Sequence, residues 1–288
     1  MAKKIVFMGT PIFAVPVLKS LYQNGYPITQ VYTQPPQKSH RGQKINKSPI
    51  QGISETLNLD FRSPETLKNN KDEYNFIKDI NADLAIVVAY GQIIPKEYLS
   101  LTKKGFINIH GSILPKWRGP APIQRSIMNL DKETGISIMK IEEKLDSGPV
   151  CNTYKIKIDS NDNALEISEK LSFLAAKKIL DNVDDILDDK VKFVIQDHSK
   201  ATYAKKIDKN EGQINWNDEA KIIIGKINGL FPNPGAFFNF NGERYKILKA
   251  EIGNGVGKFG EVISDQLEIA CKDNKSVKIL EIQRQGKK

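Results

Sequence analysis

Cysteine and histidine are scarce in this chain. Its two cysteines, Cys151 and Cys271, and its three histidines, His40, His110 and His198, lie far apart. Without a C-x-x-C pair or clustered histidines, a disulfide framework and a Cys/His zinc site are both excluded, and the thiols are expected as reduced core residues. No apolar run approaches the roughly 18 residues of a membrane span; the longest, residues 84–90, suits a buried strand. Residues 1–4 lead directly into an apolar strand with no separate apolar leader segment, so the cytoplasm is the expected location. The glycine turn Met8-Gly9-Thr10-Pro11 lacks G-x-G-x-x-G, and a Walker motif is absent, so neither a dinucleotide nor ATP is called for. There is no G-x-S-x-G elbow and no Cys–His pairing for covalent catalysis. Internal repeats and low-complexity tracts are missing as well.

What is present is a chain of 288 residues, long enough for about two domains. Its first part alternates short apolar runs with helical patterns, as a βαβ sheet does. Strands are expected at 4–8, 29–33, 84–88, 106–109, 136–141 and 150–158. A helix follows the first strand at 11–24, and a long amphipathic helix spans 163–187. Residues 196–212 are polar and poor in apolar anchors. Beyond them a short helix (219–228) precedes five short strands at 236–240, 246–251, 260–264, 267–270 and 277–283, spaced like a small barrel. The fold class expected is an α/β Rossmann-like domain followed by a small, mostly-β barrel. Its boundaries are a catalytic domain at 1–190, a linker at 191–206 and a C-terminal domain at 207–288.

The chemistry concentrates in residues 106–123. Period-2 alternation puts Asn108 and His110 on one face of a strand. They lie at its carboxyl end, where open α/β sheets bind ligands. An amide donor and an imidazole aimed at one point suit an oxyanion derived from a carbonyl. Asp146, in the turn Leu145-Asp146-Ser147-Gly148-Pro149, would orient the imidazole if it lay beside it. Spacing alone leaves two bland alternatives open, an ordinary polar strand end and an Asp that caps its own turn.

Residues 108–123 closely resemble the signature of the folate-dependent formyltransferases, in which an Asn, a His and a Ser-Leu-Leu-Pro-like run recur. Residues 8–16, 89–95, 133–139 and 231–236 extend the resemblance along essentially the whole chain. They are similar to the branch of that family that formylates charged initiator tRNA. The resemblance implies a Rossmann-like catalytic domain, a C-terminal OB-like barrel that binds tRNA, and 10-formyltetrahydrofolate as formyl donor, with no metal. By motif match it assigns catalytic positions to Asn108, His110 and Asp146. It assigns folate contacts to Ser112, Ile113, Leu114 and Pro115 and to Tyr90, Gly91, Gln92 and Ile93. Ile113, Lys116 and Pro120 depart from the commonest residues of the signature, but none of these changes removes a polar catalytic group.

Net charge is +9, which suits a polyanionic partner. From residue 206 onward 14 Lys and Arg face 11 Asp and Glu, a net +3, so basicity is not concentrated in the tail. Residues 34–54 carry Lys38, Arg41, Lys44 and Lys47 with His40 and no acid, and read as an exposed basic loop. The resemblance makes Arg41 and Lys44 of this loop expected contacts to initiator methionyl-tRNA; Lys38 of the same loop and Lys206 of the tail are further basic candidates, the latter not individually specified by sequence. A monomer is expected. Formyl transfer to glycinamide ribonucleotide or an amino sugar, a tRNA-binding protein without catalysis, and a hydrolase releasing formate remain as alternatives.

Overall fold

The computed structural model describes residues 3–39 and 44–287. The chain divides into two compact units. One comprises Met1–Arg118, Gly135–Lys155 and Glu169–Thr202, the other Gly119–Thr134, Ile156–Ser168 and Tyr203–Lys288.

The first unit is built on a seven-stranded sheet. In chain order its elements begin with β1 (Ile5–Gly9), a 3-10 turn at Ile12–Ala14, α1 (Val15–Gln23) and β2 (Ile28–Tyr32). A hairpin of β3 (Gln37–Ser39) and β4 (Lys44–Asn46) follows, then α2 (Pro49–Thr56), β5 (Phe61–Arg62), α3 (Lys71–Ile80), β6 (Leu84–Val88) and β7 (Phe106–His110). After α4 (Pro122–Met128), which belongs to the second unit, come β8 (Glu133–Lys140), β9 (Val150–Lys157) and α5 (Ala164–Leu187). The order across the sheet is β5-β2-β1-β6-β7-β8-β9. β1 pairs in parallel with β2 and β6, β6 in parallel with β7, and β7 antiparallel with β8. β1 and β6 are wholly buried, as continuous apolar runs in a parallel sheet covered on both faces must be. Strand order reverses between β1 and β6, so the carboxyl ends of β1, β6 and β7 frame the crevice where such sheets hold ligands.

The second unit carries α6 (Ala220–Leu230) against an antiparallel sheet of β10 (Ala236–Phe240), β11 (Glu243–Gly253), β12 (Val262–Ser264), β13 (Glu268–Ala270) and β14 (Ser276–Arg284), in the order β10-β11-β14-β13-β12. Ile223, Ile224 and Ile227 of α6 share a core with Ile247, Ile269, Cys271, Val277 and Ile279. Burial pushes the thiols of Cys271 and Cys151 up to about 11, so both stay protonated and unreactive.

Several elements depart from the sequence expectations, the unexpected β5 and α4 among them. The expected basic loop over 34–54 is in part a hairpin and a helix. Ser48 accepts the Gln51 N–H at 2.9 Å as an N-cap, Pro49 occupies the first turn, and Ile50 and Ser54 are buried. Helix α3 starts where the Asn70 side chain accepts from the Glu73 N–H and ends at Asn81 in the left-handed region, φ 48°. Its charged sequence conceals the apolar stripe that includes the buried Ile77. The helix expected from residue 11 begins instead as a 3-10 turn and becomes α-helical only at Val15.

Glu73 of α3 is 7% exposed and carries a charge into the core. Burial would raise its pKa. Hydrogen bonds from Arg62 (2.7–3.0 Å) and the Tyr32 hydroxyl (2.7 Å) outweigh burial and hold the carboxyl below its usual range. A carboxyl with a depressed folded pKa gives stability that is present above its unfolded value and lost as pH falls through the folded one. Arg62→Met is therefore expected to destabilise by about 2 kcal/mol near neutral pH, less than for a fully dry pair because Arg62 is partly solvated. The gap to the unaltered chain should narrow at acidic pH, as Glu73 protonates in both. Urea unfolding at the two pH values measures it; a gap independent of pH would remove Glu73 as its source.

Candidate active site

β7 ends in the polar pair that the sequence singled out. It is held between β6 and β8, with Asn108 opposite Val87 and Met139, and His110 opposite Ser137. The backbone ladders set the direction in which both side chains leave the strand. Ser137 then organises the loop that follows. Its hydroxyl donates to the Ser112 carbonyl at 2.7 Å and accepts from the Leu114 N–H at 3.1 Å. The loop turns back at Trp117, which adopts φ 59°, and its carbonyl lies 2.9 Å from His110 Nε2. A carbonyl only accepts, so Nε2 carries the hydrogen and Nδ1 is the nitrogen left for chemistry.

Asp146 stands on that Nδ1 side. Its turn is closed by the Ser147 N–H and hydroxyl, both donating to the Lys144 carbonyl at 3.2 and 2.8 Å. Asp146 Oδ2 is 3.7 Å from His110 Nδ1, and Asn108 Nδ2 donates to Oδ1 over a long 3.5 Å. His110 and Asp146 side chains are 7% and 12% exposed, so the three groups meet in a recess of low dielectric that solvent still reaches. The loose distances leave His110 Nδ1 and the Asn108 amide able to turn toward a ligand.

Neighbouring loops complete the crest. Thr10, just beyond β1, donates its hydroxyl to the Tyr90 carbonyl at 2.7 Å and accepts the Gln34 N–H at 3.2 Å. Gly91 adopts φ 82°, a left-handed backbone that strains residues with a Cβ. Gln92 donates to the Pro64 carbonyl at 2.9 Å, and Ile93 is 87% exposed. Tyr90 and Ser112 have buried side chains, and the Ser112 hydroxyl is committed to the Lys116 carbonyl at 2.6 Å. Both can offer a ligand only their backbone. Ile113 is partly exposed, whereas Leu114, which precedes Pro115 through a cis peptide, is buried.

The basic candidates are more scattered. Arg41 lies outside the described residues. Lys38 and Lys44 sit on β3 and β4, which pair through Lys38 with Ile45 and Ser39 with Lys44. In the second unit Lys206 lines a cavity of about 370 Å³ with Arg125, Tyr203, Lys205 and Glu211. Arg125 pairs with Glu211 at 2.6 Å and donates to the Lys205 and Lys206 carbonyls, which fixes their backbone while leaving the lysine heads exposed. Among the described residues, no group of three or more His, Cys, Asp or Glu is placed to hold a metal ion, and no helix is long and apolar enough to cross a membrane.

Sequence reasoning missed two buried residues behind this site, Arg118 and Gln196. Arg118 is part of the signature but reads as a surface cation, and Gln196 falls in the segment expected as linker. Nothing local in the sequence marks either as buried.

Two family patterns cover this architecture. The one described as formyl transferase matches residues 3–183, and the formyl transferase C-terminal domain matches residues 206–288. The class is therefore an enzyme of formyl transfer. A methionyl-tRNA formyltransferase of Pelagibacter ubique is 69% identical over 288 residues, covering all of this chain and 93% of its own. One from a Jannaschia species is 42% identical over 284 residues, covering 99% and 93%. The crystal structure of an N-formyltransferase from Helicobacter canadensis, with folinic acid and dTDP-3-aminofucose, superposes with a TM-score of 0.74 at 19% identity, covering 99% of this chain and 100% of that one. The chain belongs to the methionyl-tRNA formyltransferase family.

Proposed function

We propose that the enzyme transfers the formyl group of 10-formyltetrahydrofolate to the amino group of initiator methionyl-tRNA, with Asn108, His110 and Asp146 as its catalytic residues. The observation that carries this reading is the convergence of the Asn108 amide, His110 Nδ1 and the Asp146 carboxylate within 3.7 Å at the carboxyl end of β7. The neutral amine attacks the formyl carbon, and a tetrahedral oxyanion develops as the new C–N bond forms. Asn108 Nδ2–H and the Nδ1–H of a protonated His110 stabilise that charge. The C–N10 bond then breaks, and the proton lost by the amine goes to N10 with the His110–Asp146 pair as relay. Asp146 holds the imidazole throughout, while the Trp117 carbonyl keeps the Nε2 hydrogen out of the exchange.

Folate fits the crest formed by Tyr90, Gly91, Gln92 and Ile93 and by Ser112, Ile113, Leu114 and Pro115. Exposed Ile93 offers an apolar face, and the loop backbones offer hydrogen-bonding groups to a pterin edge. The reaction needs no metal. For the tRNA, Arg41, Lys38, Lys44 and Lys206 supply phosphate-binding charge, and the protein acts as a cytoplasmic monomer. Arg41 can grip a phosphate or stack on an unpaired base, which a lysine does less well. Arg41→Ala is expected to raise KM for the tRNA about tenfold while leaving folate affinity unchanged. Steady-state kinetics with each substrate varied in turn reads this; equal KM values for the two proteins remove Arg41 from the tRNA site.

Purified protein given 10-formyltetrahydrofolate should formylate charged initiator tRNA and neither uncharged initiator nor charged elongator methionine tRNA. Formylation of an amino sugar nucleotide, with none of any tRNA, would replace this assignment by the small-molecule one.

A further inference from the structure

The segment from Val194 to Thr202 is anchored at one end on the start of β9 and at the other on the loop that follows β7. At one end Val194 and Val150 exchange N–H···O bonds at 2.9 Å in both directions. At the other, Thr202 takes the Trp117 N–H on its hydroxyl and the Arg118 N–H on its carbonyl, both at 2.9 Å, and gives its own N–H to the Pro115 carbonyl at 3.3 Å. Between these anchors Gln196, 7% exposed, uses every hydrogen-bonding position of its amide. Nε2 donates to the Asp146 carbonyl at 2.9 Å and to the Gly148 carbonyl at 2.7 Å. Oε1 accepts from Arg118 Nε at 3.2 Å and Nη2 at 2.7 Å. Guanidinium only donates and a backbone carbonyl only accepts, so the amide has one possible orientation. Arg118, 4% exposed, also donates Nη2 to His198 Nδ1 at 2.9 Å.

Two residues beside the reaction centre have left-handed backbones without being glycine: Trp117 at φ 59° and Asp146 at φ 47°. L-residues persist there only where the surroundings hold them. Thr202 holds the first and Gln196 the second. Arg118, next to Trp117 in the chain, joins the two holds through Gln196. One arm sets the carbonyl that fixes His110 Nε2, and the other sets the carboxylate that faces Nδ1. An ordinary linker would have no reason to bury a fully satisfied amide against these two turns.

On the reading above of Asp146 as part of the catalytic centre, we propose that Gln196 is a positioning residue that fixes Asp146 against His110, and that Arg118 couples this hold to the Trp117 loop. The polar segment 194–202 is thereby a strap of the active site.

The test is a double-variant cycle in the formylation assay. Gln196→Met keeps the shape and removes the amide. It should lower kcat ten- to a hundredfold while KM for tRNA and folate stays within about twofold. On an Asp146→Asn background the same change should cost less than about twofold, because a residue acting through Asp146 has nothing left to position. Gln196→Glu keeps an acceptor for Arg118 and loses both donations, so it should show the same kcat loss even if the Met variant folds poorly. Losses that multiply in the double variant, or an unchanged kcat in Gln196→Glu, overturn the proposal. A failure of the unaltered protein to formylate any tRNA would instead strike the functional reading, so the two failures are distinguishable.

Discussion

His110→Ala and Asp146→Ala are each expected to lower kcat at least a hundredfold with little change in KM for either substrate. Losing one preorganised donor to an oxyanion typically removes about 3 kcal/mol of transition-state stabilisation, which corresponds to a factor of roughly 10²–10³. The charge exists only in the transition state, so the loss appears in kcat and not in binding. The two variants should act as a unit. The His110/Asp146 double variant is expected to be scarcely slower than His110→Ala alone, since the carboxylate works through the imidazole that faces it at 3.7 Å. Structural damage is separable from this effect. Removing the imidazole leaves the Trp117 carbonyl without its Nε2 donor, a cost of about 1–3 kcal/mol that thermal unfolding would register. Asp146→Asn keeps size and turn geometry but offers Nδ1 an amide, so it should lose activity while melting within a few degrees of the unaltered protein. Near-normal turnover in His110→Ala would falsify the catalytic assignment outright.

Six of the seven strands of the catalytic sheet were legible because they are local and unambiguous; β5, only two residues long, was not. β1 and β6 are continuous apolar runs of five residues, and β7 announces its carboxyl end with Asn108 and His110 on one face. Helices with polar or short sequences were not: α2 and α3 depend on the Ser48 and Asn70 caps more than on a long apolar stripe, and α4 has seven residues. The site was legible in part. Residue types pointed to Asn108, His110 and Asp146, yet His110 and Asp146 lie 36 positions apart, and no periodicity spans such a gap. Which imidazole nitrogen faces the carboxylate depends on the Trp117 carbonyl, a backbone group with no signature in sequence. The strap was read as linker for a related reason. Polarity signals solvent only when the partner is water, and the polar groups of Gln196, His198 and Thr202 are matched by Arg118, Trp117 and the 146–148 turn.

Gly148→Ala is expected to be the most damaging glycine substitution near the site, costing about 1–3 kcal/mol of stability as overpacking and most of the activity. A Cβ on Gly148 would overlap the Lys140 carbonyl oxygen, with the carbonyl carbon at 3.0 Å. Lys140 cannot retreat easily. It is paired with Ile107 across β7 and β8, the next residue donates its N–H to the Phe106 carbonyl at 2.8 Å, and its own N–H is held by the Pro149 carbonyl at 2.9 Å. The turn must therefore move and not the strand. That movement pulls the Gly148 and Asp146 carbonyls away from Gln196, and with them the carboxylate away from His110 Nδ1. Loss of kcat should thus exceed what the stability change alone would give, and should approach that of Asp146→Ala in protein that is still folded at the assay temperature. Gly52→Ala supplies the contrast. Gly52 lies within α2 with nothing within 4 Å of a built Cβ, so alanine there should stabilise by up to ~1 kcal/mol and leave turnover untouched. Urea unfolding and single-turnover formylation of both variants read the two effects separately. If Gly148→Ala matched Gly52→Ala in kcat, the position of Asp146 would not depend on how closely this turn approaches β8.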